Sequence, residues 1–488
     1  MSISALSKRL ESRTALGCAW LGLTGLFLWT NAHALALLPG DEGIYLYAGK
    51  LLTEGYWPQR DFFFAHPPLR VLLAGGLYGL GLPVVAPKVL ALLAPPLAAG
   101  LLGLAVFRGG GIVGAVLTMV LYLFASLNLE LAGVYCGPNL AATLLAGTLL
   151  ASRQNRFGWA GALLALSGMQ AYYALMPAPI LALWAWRQGA LWRFLLGLSA
   201  FFVFFAFFWL WIGAPFVENT LLYHLRKVTE VESSYPLSKL SGFLYTEAGL
   251  LIFGLAGVLS RSPTARWTAG VGVFCLAVPV LYRSLEPYYF MMSFPFLAVA
   301  GGDGYRGLVE RARERGGRMP VAVSLLVGLT LVVTYLPHFL YGQEEDAVRA
   351  LRAKETAALI EAVELHRTTS GLLFGDSSIV PLIALQTGLE VSERMVDMNA
   401  KRFDAGLITT EAVIASVYEG RRTGTVLMDH HGISTVDALR QHIRSNQVEL
   451  FHFVGPAIGY EVRYLVPEEE VSEIARRLGH PTSSESRF

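Results

Sequence analysis

Charge is scarce in this sequence. Only 15% of residues are Asp, Glu, Lys or Arg against 54% hydrophobic, a balance outside the range of soluble globular domains. The net charge of +2 says nothing about nucleic acid, but there is no basic block of the kind that tracks its backbone, so no nucleic-acid partner is expected. Cysteine is equally sparse. Cys18, Cys136 and Cys275 lie in or beside apolar segments and none falls in the polar tail, which leaves neither a disulfide framework nor a zinc-type Cys/His spacing. Charge is also nearly missing from the middles of the apolar segments, where an ion or proton pathway would carry it.

Apolar windows are abundant instead. Stretches near twenty residues, each long enough to cross about 30 Å of hydrocarbon as a helix, recur between Ala15 and Tyr341. The chain therefore reads as a polytopic α-helical membrane protein. Lys8, Arg9 and Arg13 precede the first apolar segment, Leu16 to Ala36, and hold the N-terminus in the cytoplasm of a cell membrane. The small residues of "NAHALA" also fit a cleaved signal peptide, and on either reading the next loop faces outward. Basic loops at Arg108, Arg153 and Arg156, Arg187 and Arg193, Arg261 and Arg266, and Gly302 to Pro320 sort to the inside. That assignment holds only if Leu69 to Leu82 is a short interfacial or re-entrant helix, and it leaves about eleven spans with the tail outside. Pro177 and Pro179 are expected to break or kink the sixth.

Residues 1–342 form the expected membrane domain, with an important first loop at 38–85, and residues 343–488 a small extracytoplasmic α/β domain. In the tail, "ETAALIEAVELHR" has helical periodicity, whereas "GLLFGD", "TVLMD", "VELFHFV" and "YEVRYLV" read as short strands. No glycine-rich phosphate loop follows either early strand, so a nucleotide site there is unsupported. Asp376 and Asp429 at strand ends are better read as turn residues and caps than as ligands, and His430 and His431 add little.

The informative stretch is "DEGIYLYAGKLLTEGYWPQRDFFFAHPPL", which begins at Asp41. Asp at a helix start with Glu in the first turn suits the helix dipole, so capping alone accounts for Asp41 and Glu42 taken singly. Their company argues for more: Asp61, His66 and Arg70 return the loop to the membrane surface, and Pro67-Pro68 fixes an extended entry into the next helix. Polar and aromatic groups gather likewise at the outer ends of other segments, pointing to a site at the outer interface rather than at the midplane where a transporter holds its cargo.

This stretch resembles the first extracytoplasmic loop of the polyprenyl-phosphate-sugar-dependent glycosyltransferases of the GT-C fold, among them the protein O-mannosyltransferases and the transferases that add aminoarabinose or other sugars to lipid A. An Asp-Glu pair after the first span, a Gly-Tyr step, an Asp-aromatic run and Pro-Pro-Leu occur here in that family's order. The resemblance implies a polyprenyl-phosphate-linked sugar donor, a lipid, glycan or protein acceptor, and inverting transfer with Asp41 as base and Glu42 supporting it. His66, Arg70, His224, Arg226, Lys227 and Arg283 are the expected cations for the donor phosphate, although interfacial Lys and Arg also commonly snorkel to lipid headgroups. Tyr45, Asp61, Tyr172 and Tyr288 are expected to line the substrate cavity. Some relatives hold a divalent metal (Mg or Mn) at the acids and others hold none; here "NLELAGVYCGPN" carries Glu130 but lacks the Asp several relatives use, so any metal would rest on Asp41 and Glu130. A polytopic transporter or flippase of lipid-linked sugars, using the same acids for contact or capping, is the competing reading.

Overall fold

A computed structural model describes residues 3–226, 235–258, 260, 262–281, 286–314, 319–429 and 432–479. The chain divides into two compact units, the first comprising Met1–Leu35, Lys88–Phe207 and Val231–Asp346, the second Ala36–Pro87, Phe208–Glu230 and Ala347–Phe488. The first loop thus clusters with the polar tail.

The first unit is helical. Among the described residues, Ala86–Arg108, Leu191–Ile212, Pro263–Leu281 and Pro320–Leu365 are long and apolar enough to cross a membrane singly, and Leu237–Thr246 with Ala248–Val258 is an apolar pair bent by 87°, the shape of a broken span or of a re-entrant loop. Only 11% of the most apolar window of Leu191–Ile212 is buried within the protein. Such a surface belongs against lipid. Other apolar segments are cut short by their own sequence: Gly111, at φ 67°, ends one helix and starts Gly111–Leu123, and the chain breaks after Gln170 into a 3₁₀ turn, Tyr172–Leu175, before Pro177 leads into Ala178–Arg187. Four unbroken helices among the described residues thus meet the length and apolarity of a span. Leu69–Gly79, which belongs to the second unit, rises about 16 Å and is too short to span by itself.

Helices in lipid gain nothing from hiding apolar surface, so they associate through close backbone approach. Gly161 and Gly197 provide it: a Cβ at Gly161 would lie 2.1 Å from the Phe194 carbonyl, and one at Gly197 2.1 Å from the Gly158 carbonyl. Two acids of this unit are held by partners from other helices. Arg153 meets Asp303 through both terminal nitrogens, and the fully buried Glu247, at the bend between Leu237–Thr246 and Ala248–Val258, accepts from the Ser126 hydroxyl and from the Leu127 N–H at 3.2 Å.

The second unit carries a five-stranded mixed sheet. Its strands are β1 (Leu372–Gly375), β2 (Glu390–Val391), β3 (Gly424–Met428), β4 (Gln447–Gly455) and β5 (Tyr460–Pro467), in the order β2-β1-β3-β5-β4. The first three are parallel, while β5 runs antiparallel to both β3 and β4. All of β3 is buried, as expected for a short apolar run covered on both faces, and Phe374, Met398, Val413, Leu427, Leu439 and Leu465 belong to the core. Asp376 is fully buried and accepts the Ser378 N–H at 3.0 Å, an Asx turn; Asp429 receives the Arg463 guanidinium at 2.9 Å; His430 and His431 lie outside the described residues. The helix Met319–Leu365 runs unbroken through position 342, where the composition changes.

Candidate active site

The helix that follows Asp41, Glu42–Thr53, is buried over its first two-thirds, from Glu42 through Gly49. A helix buried all round needs partners on more than one side. One is Leu69–Gly79, approached through Gly49 and Gly75, where added Cβ atoms would meet Ala74 at 2.7 Å and Leu52 at 2.6 Å. The other is Val380–Thr387 from the tail, whose Leu382 lies 3.3 Å from where a Gly43 Cβ would stand. Two hydrogen bonds join the same pieces: Gly40 N–H donates to the Ser378 carbonyl at 2.7 Å, and Val391 N–H donates to the Tyr47 hydroxyl at 3.1 Å. Burial pushes the Tyr47 hydroxyl up to about 12, with the Val391 bond opposing it.

Asp41 occupies the N-cap position of this helix but does not cap it. Its backbone is already helical (φ −59°, ψ −21°) and its side chain makes no capping hydrogen bond. The Gly40 carbonyl takes the Gly43 N–H at 3.2 Å in its place. The Asp41 side chain is exposed while neighbouring Glu42 is buried, so the two acids sit in different environments.

An aromatic and cationic cluster is built around the next turn. Tyr45 is edge-on to Phe64 (5.8 Å) and to His66 (5.5 Å), and the buried Arg70 guanidinium lies 4.6 Å from the Tyr45 ring centre. His66 stands 5.5 Å from His224. Gln59, at φ 62°, holds the strand leading to His66 by donating to the carbonyls of Phe64 (3.2 Å) and His66 (2.7 Å). His224 Nε2 is 2.7 Å from the Ala65 carbonyl. A carbonyl only accepts, so His224 carries a proton on Nε2, and Nδ1 is the atom that gains the second one. The first loop and the segment at 223–226 are thereby tied together at the two imidazoles.

A second group, from the tail, closes against the same segment. The Arg402 guanidinium lies 4.0 Å from the Phe63 ring centre, and Phe63 is edge-on to Tyr223 at 5.3 Å. Tyr223 donates to Asn399 at 3.4 Å, and Asn399 donates to Asp397 at 2.8 Å. Burial raises the Tyr223 hydroxyl well above the usual phenol range, and the charges of Asp397 and Asp41 add to that, opposed by Asn399 and Arg402. Burial likewise pulls the Arg402 guanidinium below its usual value, with Asp397 and Tyr223 opposing. Nothing in the local pattern around Asn399 or Arg402 marks them, because Tyr223 and Phe63, which they meet, are more than 150 residues away in sequence.

The remaining expected residues are placed as follows. Asp61 is taken up by Arg60 at 2.8 Å and by the Trp57 N–H at 2.7 Å, which makes it the organiser of a turn. Arg226 is exposed, and Lys227 and Arg283 lie outside the described residues. Tyr172, Tyr288 and Glu130 belong to the first unit. There Tyr172 is edge-on to Phe201 at 6.1 Å, Tyr173 contacts both Tyr288 (6.1 Å) and Tyr289 (4.5 Å), and Glu130 is exposed. Among the described residues Asp41 belongs to no group of three acidic, His or Cys donors; the group that exists is Asp429, His452 and Glu461, in the tail.

No family model matches this chain, and no curated protein matches it by sequence. Among solved structures, it is similar to the crystal structure of ArnT from Cupriavidus metallidurans bound to undecaprenyl phosphate, with a TM-score of 0.65 and 14% identity, covering 94% of this chain and 99% of that one. Identity that low speaks to the fold alone. The fold is the GT-C fold that the first loop resembles.

Proposed function

We propose that the chain is a membrane glycosyltransferase that moves a sugar from a polyprenyl-phosphate carrier to a lipid, glycan or protein acceptor on the extracytoplasmic side of the membrane. Asp41 is the base. Its carboxylate takes the proton from an acceptor hydroxyl as that oxygen bonds to the anomeric carbon, the bond from that carbon to the phosphate oxygen breaks with inversion, and polyprenyl phosphate leaves carrying the electron pair. His66, His224 and Arg226 meet the charge that develops on the phosphate. His224 suits this role because its Nε2 proton is committed to the Ala65 carbonyl, so protonation at Nδ1 gives a cation already held in orientation. Arg70, buried behind Tyr45, acts through that ring and the local potential. Glu42, beside the base but buried, supports its placement.

The observation that carries the reading is an exposed carboxylate at a helix start that leaves the capping to a backbone carbonyl. A residue kept only as a cap would use its side chain to cap. The similarity in fold to a protein bound to undecaprenyl phosphate supports the class of donor. The test is to supply the purified protein with a panel of radiolabelled polyprenyl-phosphate sugars and to compare it with Asp41→Asn. The reading expects transfer from one donor by the native chain, with donor binding but no transfer in the variant. Undiminished transfer by Asp41→Asn overturns the assignment of the base, and no transfer from any donor overturns the class.

A further inference from the structure

The first unit holds a cavity that the proposed chemistry does not use. It has a volume of about 1170 Å³ and runs between the helix Ile3–Trp29 and the helix Ala86–Arg108. That exceeds the roughly 300–1,000 Å³ of most small-molecule sites. Its walls are apolar along the length, and its polar lining residues are Ser12, Arg13, Arg108 and Gln154.

The polarity is ordered by the helices themselves. Trp20 meets Pro96 and Gly100, while Arg13 comes before Leu16 and Trp20 on one wall and Arg108 comes after Leu101 and Leu104 on the other, so both lining arginines lie away from Trp20 towards one end. From Leu97 to Arg108 the helix rises about 16 Å, close to half of the about 30 Å hydrocarbon thickness. The groove is one leaflet deep. Leu97 and Leu104 are each about half exposed (53% and 51%), which leaves the trough open towards the bilayer. Its back is fixed: the Trp20 indole crosses Gly100, where an added Cβ would lie 3.0 Å from Nε1, and donates to the Pro96 carbonyl at 2.8 Å. An indole N–H in hydrocarbon needs such an acceptor, and this one locks the ring as a wall.

We propose that this groove is a binding site for an anionic glycerophospholipid of the leaflet on the Arg13 side, its acyl chains along Leu97, Leu101, Leu104 and Trp20 and its phosphate between Arg13 and Arg108. Charge complementarity selects the occupant: a zwitterionic headgroup sets its own cation against the two guanidiniums, whereas phosphatidylglycerol does not. The site is independent of the proposed transfer reaction.

The test is native mass spectrometry of the full chain titrated with phosphatidylglycerol and with phosphatidylcholine of the same acyl chains. An arginine near the membrane surface favours an anionic lipid by roughly fivefold, so two should give a preference of about 30-fold. Arg13→Gln with Arg108→Gln should abolish the preference, while Arg193→Gln, an exposed arginine that does not line the groove, should leave it intact. Leu104→Trp should block both lipids. Melting temperatures of these surface variants should match the native chain. Equal retention of both lipids, a preference that survives the double variant, or displacement of phosphatidylglycerol by an equal concentration of polyprenyl phosphate would each overturn the proposal, the last by making the groove a seat for the carrier.

Discussion

Capping and catalysis by Asp41 can be separated by measuring stability and rate on the same variants. A side-chain N-cap that is lost to alanine typically costs about 1 kcal/mol. Here no such bond exists, because the Gly43 N–H is taken by the Gly40 carbonyl and the Ile44 N–H by the backbone carbonyl of Asp41, at 3.1 Å. What remains is the attraction between an exposed carboxylate and the helix dipole, about 0.3–1 kcal/mol. In a chain of this size that shifts the melting temperature by less than about 2 °C. As a general base the same carboxylate contributes about 10²- to 10⁴-fold in rate, or about 3–5 kcal/mol of barrier. Asp41→Asn and Asp41→Ala should therefore melt alike and close to the native protein, and both should lose at least about 100-fold in turnover. The assays are thermal melting in detergent and initial rates of radiolabel transfer from the carrier lipid. A pair of variants that melts several degrees low and keeps activity in proportion to the folded fraction would refute the argument, because that is the behaviour of a cap.

Three further outcomes follow from the geometry. Glu247→Leu strands the Ser126 hydroxyl and the Leu127 N–H inside the bilayer and should destabilise by about 2–5 kcal/mol, while Glu247→Gln keeps an acceptor and should recover most of it; equal melting of the two variants would refute this. Gly161→Ala puts a methyl 2.1 Å from a backbone carbonyl and should cost about 1–3 kcal/mol, whereas Gly158→Ala, with 3.6 Å of room, should be close to neutral, and comparison of their denaturation midpoints decides. The hydrogen bond from Arg60 is the main cause lowering the Asp61 carboxyl below its usual range, so its contribution is present above about pH 4 and is lost as pH falls through the lowered value. Partial exposure limits it to under about 1 kcal/mol; Asp61→Asn should thus trail the native chain slightly at pH 7, and the gap should close in acid.

The strands of the tail were legible because each is a short apolar run bounded by turn residues, and β1, β3, β4 and β5 coincide with "GLLFGD", "TVLMD", "VELFHFV" and "YEVRYLV". The helix after Asp41 was legible for the same kind of reason: Pro-Gly, then acids, then an apolar run. Three features were not. The span count depends on helix length as well as apolarity, and Gly111–Leu123 is apolar but shorter than the about 20 residues a crossing takes. The role of Asp61 in a turn depends on a neighbour's rotamer. The reach of Arg402 to Phe63 and of Asn399 to Tyr223 depends on how the tail folds back on the first loop, a long-range outcome that no local period encodes.

The contacts at Gly43, Gly40 and Tyr47 bind the first loop and the tail into one mechanical part. The carboxyl-terminal segment is consequently not a detachable module. A chimera that imports a foreign tail would set an unmatched surface against a glycine whose Cβ position already lies 3.3 Å from Leu382, and would unseat the acid without touching it. Recombination between homologues should succeed only when residues 36–87 travel with the segment after position 347, however far apart the gene places them.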